Sequence, residues 1–159
     1  GYRLPDAGIS ELTGLVDELA ERTGAFDLPD LADSLHLEAD SLFPLTEALE
    51  ILRLATVSKG DIALTETGRK FAQADILARK KIFANQLSQT VPLAQHIRKT
   101  LDERPNHVES EDYFLKELQS YLTEGEAERV LEVIIDWGRY AELFAYDYDS
   151  GNLSLENPK

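Results

Sequence analysis

The chain has 159 residues, 43% of them hydrophobic, which suffices for one ordinary core or two small ones and excludes a disordered segment. No apolar run approaches the ~18 residues of a membrane span, and zero cysteine excludes disulfides and thiolate metal sites while fitting a reducing compartment. The formal net charge of -14 argues against a chain built to coat a polyanion.

Methionine is absent too, so the chain reads as a trimmed domain cut from something longer, with Gly1 as a scar of tag removal. Ile9, Leu12, Leu15, Val16, Leu19 and Ala20 recur at helical spacing, and Gly24 closes that segment. Asp27 is placed to cap a short second helix, with Pro29 in its first turn. Asp40 is expected to cap a third helix running to about Arg53, burying Leu42, Leu45, Leu49 and Leu52. Two β-prone runs, Ala55–Val57 and Ile62–Leu64, flank a Lys-Gly-Asp turn, and Thr65 starts a fourth helix with Phe71 inward. Three helices, a hairpin and a helix within about 70 residues read as a winged helix-turn-helix.

From Ile76 the pattern is helical to about Asp102, interrupted at Pro92, whose ring disfavours α geometry at Val91. "ERPNHVES" reads as a loop, Ser110 caps a helix to about Leu122, and Thr123 with Glu126 forms a capping box opening a helix to about Tyr140. A second hairpin follows, with "DYDSGN" at its turn. That turn fails as an EF-hand loop, since its fifth residue is Gly151 and its twelfth is Pro158. "GDIAL" (60–64) and "GNLSL" (151–155) each end a hairpin that follows a long helix. The expectation is a mainly α fold with small β-hairpins: two winged-helix-like lobes joined by a long central helical segment. The first lobe covers 4–75, and the helical segment with the second lobe, which lacks a closing helix, covers 76–156.

Charge is unevenly placed. Residues 1–68 carry 14 acidic and 4 basic side chains, residues 69–104 carry 3 and 8, and residues 105–159 carry 13 and 4. The basic middle is either a helix packed between two acidic lobes or a face for an acidic partner or anionic membrane surface. Its candidate contact residues are Arg79, Lys80, Lys81, Arg98 and Lys99. The aromatic corner Trp137, Tyr140, Phe144 and Tyr146 is the core of the second lobe, or a partner hot spot if its rings are exposed.

Catalytic signals are absent from the sequence. His36, His96 and His107 have no metal-ligand spacing, no phosphate-binding glycine motif occurs, and no serine sits in G-x-S-x-G. No catalytic, cofactor-binding or metal-binding residue is assigned. A DNA reader needs cations on the helix entering the groove. Here the third helix carries Asp40, Glu47 and Glu50 against Arg53, and its counterpart at 124–140 carries five acidic residues against Arg129 and Arg139. A nucleic-acid partner is therefore not expected, although a winged-helix transcriptional regulator and a small-ligand or metal sensor stay as alternatives.

"LPDLADSL", "LFPLTEALEILRLATVSKGDIALTETGRKFAQADILARKKIFANQL", "VPLAQHIRK" and "FLKELQSYLTEGEAERVLEVIIDWGRYAELFAYD" together resemble the C-terminal AAA-associated domain. The likeness spans about Leu4 to Glu156, and "IDWGRYAELFAYD" is its most specific part. That family follows the nucleotide-binding domain in certain bacterial ABC-transporter ATPases of the nitrate/sulfonate/taurine/bicarbonate import type. The resemblance implies a cytoplasmic, non-enzymatic accessory domain, peripheral to the inner membrane through its transporter. It implies ATP and Mg only in an N-terminal ATPase part, no cofactor in this stretch, and indirect membrane contact. The partners it implies are the ATPase domain, the permease or a second copy.

Overall fold

Fourteen short elements follow one another in the computed structural model, which describes residues 2–155. The tag-scar reading of Gly1, the end of the second lobe at Glu156 and the turn comparison at Pro158 lie outside the described residues. The first half runs α1 (Ile9–Ala20), β1 (Phe26–Asp27), α2 (Leu28–Ser34), α3 (Ala39–Ile51), β2 (Ala55–Ser58), β3 (Asp61–Leu64) and α4 (Glu66–Gln73). Then come α5 (Ile76–Thr90), α6 (Pro92–Glu103), β4 (Val108–Ser110), α7 (Glu111–Gln119), α8 (Glu124–Tyr140), β5 (Ala145–Asp147) and β6 (Asn152–Ser154). The protein is mainly α, with small antiparallel strand pairs.

Local chemistry explains most of the boundaries. Asp27, Thr65, Asp75, Ser110 and Thr123 each accept a hydrogen bond from the backbone N–H three residues on, opening α2, α4, α5, α7 and α8. The capping box expected at Thr123 is half made, because the Glu126 carboxylate turns to Arg129 instead. Helix α3 starts earlier than expected, after Glu38 rather than Asp40, and its first position has no side-chain cap. Val91 is extended at φ -120°, ψ 99°, so the run from Ile76 breaks into α5 and α6 where the Pro92 ring requires it.

Helices α2, α3 and α8 end alike. His36, Arg53 and Glu142 adopt φ 58° just past the helix, and the following N–H reaches back to close the last turn. Leu54 N–H meets the Leu49 carbonyl at 2.8 Å, and Leu143 N–H meets that of Gly138 at 3.0 Å. Three non-glycine residues hold this left-handed position, which is why α3 stops at Ile51, short of the expected Arg53.

Each half adds a strand to its hairpin. β1 pairs with β3 and β4 pairs with β6, giving sheet orders β1-β3-β2 and β4-β6-β5, all antiparallel. The stretch expected as a loop at 103–110 therefore contains β4. Helix, strand, helix, helix, hairpin occurs twice, as α1-β1-α2-α3-β2-β3 and as α6-β4-α7-α8-β5-β6.

The two halves share one contiguous core. Phe83 on α5 stands at the junction, its ring 6.4 Å from Phe71 in the first half and 6.2 Å from Trp137 in the second. Gln86, buried one turn on, donates from Nε2 to the Leu52 carbonyl at 2.8 Å, so α5 also satisfies the end of α3. Two glycines make close packing possible. A Cβ at Gly68 would lie 1.9 Å from the Leu54 carbonyl oxygen, and one at Gly138 would lie 2.1 Å from Phe144 Cζ. Gly138 thus marks a close contact and not a helix end, since α8 continues to Tyr140.

Gly138→Ala gains about 1 kcal/mol of helix propensity, while crowding a packed ring costs roughly 1–3 kcal/mol. Because Phe144 is 3% exposed and has nowhere to move, crowding wins. The expected outcome is a lowered urea midpoint with an unchanged slope.

Candidate functional site

Of the five basic residues that the sequence offers as a contact face, Arg79 and Lys80 lie in ion pairs and Arg98 bonds a backbone carbonyl. Arg79 Nη2 sits 2.6 Å from Asp17 Oδ1 on α1 and donates to the Ala72 carbonyl at 2.8 Å, with its guanidinium over the Phe71 ring. Lys80 Nζ is 3.3 Å from Glu142 Oε2, just past α8. Arg98 on α6 donates to the Leu143 carbonyl at 2.6 Å. One helix therefore reaches an acidic residue of the first half with Arg79 and one of the second half with Lys80. Lys81 and Lys99 remain exposed, without an ion-pair partner among the described residues.

The aromatic corner divides in the same way. Trp137 is 0% exposed and Phe144 is 3% exposed, so both are core and neither forms a surface hot spot. The Trp137 ring carries its polar atom inward, and its Nε1–H donates to the Ala7 carbonyl at 2.8 Å. Tyr140 is half-buried, edge-on to Phe83 with ring centroids 5.2 Å apart, and burial pushes its hydroxyl pKa up. Tyr146 donates its O–H to Glu111 Oε2 at 2.6 Å, and that hydrogen bond, more than burial, pushes its pKa up to about 12.

What stays uncompensated is acidic. An open cleft of about 890 Å³ lies over the outward face of α8, with Asp6–Gly8 on one flank and α7 and β5 on the other. Asp6, Glu111, Asp112, Glu128, Glu132 and Asp136 line it against two cations, Arg129 and Arg139, and Tyr146 forms part of the β5 wall. Asp136 already accepts from Ile9 N–H at 2.9 Å, and Glu111 accepts from Tyr146, whereas Glu128 and Glu132 are exposed. The outward face of α3 is acidic too, with Asp40, Glu47 and Glu50 around a Phe43 that is 52% exposed. Neither α3 nor α8 carries a positive stripe.

Apolar surface is open at the α4–α5 elbow, where Ile76 and Leu77 are 77% and 70% exposed, one turn ahead of Lys80 and Lys81. Periodicity could not reveal that pair, because adjacent aliphatics opening a helix look like core. The histidines are scattered. His96 Nε2 is 2.8 Å from Glu117 Oε1, the His107 ring faces the Leu101 carbonyl, and His36 is exposed. Among the described residues no cluster of three His, Asp or Glu side chains is placed to hold a metal ion.

A mainly α domain with two repeated helix–sheet units is the class these observations define. Residues 29–147 match the model of the C-terminal AAA-associated domain, and the chain belongs to that family. No curated protein matches the chain.

If the cations of α5 hold the halves together, substitutions there separate sharply. Arg79→Gln breaks a 2.6 Å ion pair with a side chain only 19% exposed, and the expected loss is about 1–3 kcal/mol of unfolding free energy. Lys81→Gln, two residues on and exposed, is expected to stay within roughly ±0.5 kcal/mol. Paired urea titrations measure both.

Proposed function

We propose that this domain is a non-enzymatic accessory module of a bacterial ABC-importer ATPase and works by docking on protein. The observation that carries this reading is membership in the family of the C-terminal AAA-associated domain. In an intact protein such a module is tethered behind the domain that binds ATP and Mg, on the cytoplasmic side, and touches the membrane only through the transporter. Its partner is that ATPase domain, the permease or a second copy of itself.

The surface chemistry favours polypeptide over nucleic acid. On the outward faces of α3 and α8 and in the cleft above α8 carboxylates outnumber cations, six to the two arginines Arg129 and Arg139 in the cleft, so a phosphate backbone is disfavoured where a nucleic-acid reader needs attraction. Exposed Ile76 and Leu77 beside Lys81 offer the apolar-plus-cationic surface that buries well against protein. Docking regulates the importer only through a difference in affinity between the open and closed arrangements of the ATPase pair. A module that bound both equally would assemble the complex without changing its rate.

ATP turnover and substrate uptake of the intact transporter, with and without this domain, test the reading. The expected outcome is a changed basal turnover or a loss of assembled complex on deletion. Unchanged turnover, uptake and assembly contradict it.

A further inference from the structure

The segment before α1 does not belong to the half that follows it. Residues 2–8 run across the second half, and two consecutive residues of α8 hold the point where they enter α1. Trp137 Nε1–H donates to the Ala7 carbonyl at 2.8 Å, and Asp136 Oδ2 accepts from Ile9 N–H at 2.9 Å. One grip is a donor and the other an acceptor, and both sit on the same turn of α8. The second also supplies the cap of α1, because Gly8 at the N-cap position has no side chain to do so. The start of the first half is thus capped from 127 residues away.

Toward the chain start the attachment weakens. Leu4 and Ala7 are buried, at 5% and 1% exposure. Beyond them the Tyr2 ring lies half-buried against His96 and Tyr121, each 5.9 Å away between centroids. Arg3 is 75% exposed and meets Glu126 at 3.9 Å. No strand pairing backs the segment among the described residues.

The geometry points to a latch: residues 2–8 detach from α8 as a unit, reversibly, while both helical halves stay folded. Detachment removes the Asp136 cap from α1 and frees the indole N–H of Trp137 in one event, because Asp136 and Trp137 hold Ile9 and Ala7, two residues apart at the join of the segment to α1. Trp137 is also the ring that meets Phe83 at the junction of the halves. Whatever acts on the chain ahead of α1 therefore reaches the junction directly through this segment. Such an opening loses the buried contacts of Leu4 and Ala7 but far fewer than global unfolding does, because no regular element holds the segment.

Hydrogen exchange followed by NMR on the 159-residue chain tests the latch, with no partner needed, so the result is separate from the docking reading. Once each rate is divided by the intrinsic exchange rate of its group, the Trp137 indole proton and the Ile9 amide are expected to show one common protection, at least about tenfold lower than that of the Val130 and Ile134 amides in the core of α8. Leu31→Ala, in the core of the first half, separates local from global opening. It speeds Val130 and Ile134 but leaves the indole and Ile9 rates unchanged, because the open latch keeps the Leu31 contacts. Should Leu31→Ala not fold, low urea makes the same distinction in the unmodified chain by speeding the core amides and barely moving the other two. Protection of the indole and Ile9 equal to that of the core amides, acceleration of all four together, or unequal protection of the indole and Ile9 overturns the proposal.

Discussion

The contact between Phe83 and Trp137 is the constraint on which the rest depends. Neither repeated unit is large, and a small unit buries too little apolar surface to stand far from its folding limit. Placing α5 between them lets Phe83 serve both cores at once, against Phe71 on one side and against Trp137 and Tyr140 on the other. Trp137 is completely buried only because its N–H has a partner in Ala7, since an unpaired buried indole would carry a desolvation cost. Gly138 follows from the same arrangement, giving Phe144 room to close the second core beside Trp137.

Charge follows the same architecture. With 30 acidic and 16 basic side chains, repulsion acts throughout the molecule, and the few cations matter where they are spent. Arg79 and Lys80 spend theirs at the seam, each on a different half, and Arg98 fastens the corner after α8. The surplus carboxylates are displayed on the outward faces of α3 and α8. A surface of that kind selects its partner by excluding polyanions as much as by attracting anything. The polypeptide partner proposed for the domain is supported by these outward carboxylates.

Much of the fold was legible because it is written locally. Asp27, Thr65, Ser110 and Thr123 announce their helices through side chains that bond three residues ahead, and Pro92 announces the break between α5 and α6. The repeated order of elements showed in the two glycine-bearing hairpins. What escaped was non-local or chemically unmarked. β1 and β4 are two and three residues long and exist only through β3 and β6. The left-handed ends at Arg53 and Glu142 lack the glycine that usually signals them. Basic residues on α5 looked like a docking face because composition cannot tell a cation facing solvent from one facing Asp17 or Glu142. The aromatic corner resolved into buried rings, Trp137 and Phe144, and half-buried ones, Tyr140 and Tyr146, a distinction that spacing alone does not carry. The segment before α1, carrying no regular element, gave no hint that it crosses to α8.

Urea unfolding followed in one sample by far-ultraviolet circular dichroism and by the fluorescence of the single tryptophan tests the shared core most directly. The first signal reports the helices of both halves, the second the junction at Trp137. A common core predicts superimposable transitions, and Phe83→Ala is expected to move both midpoints down together. Two separate transitions, or a Phe83→Ala variant whose fluorescence midpoint falls while the helical signal holds, would mean that the halves stand independently and that α5 is only a linker between them.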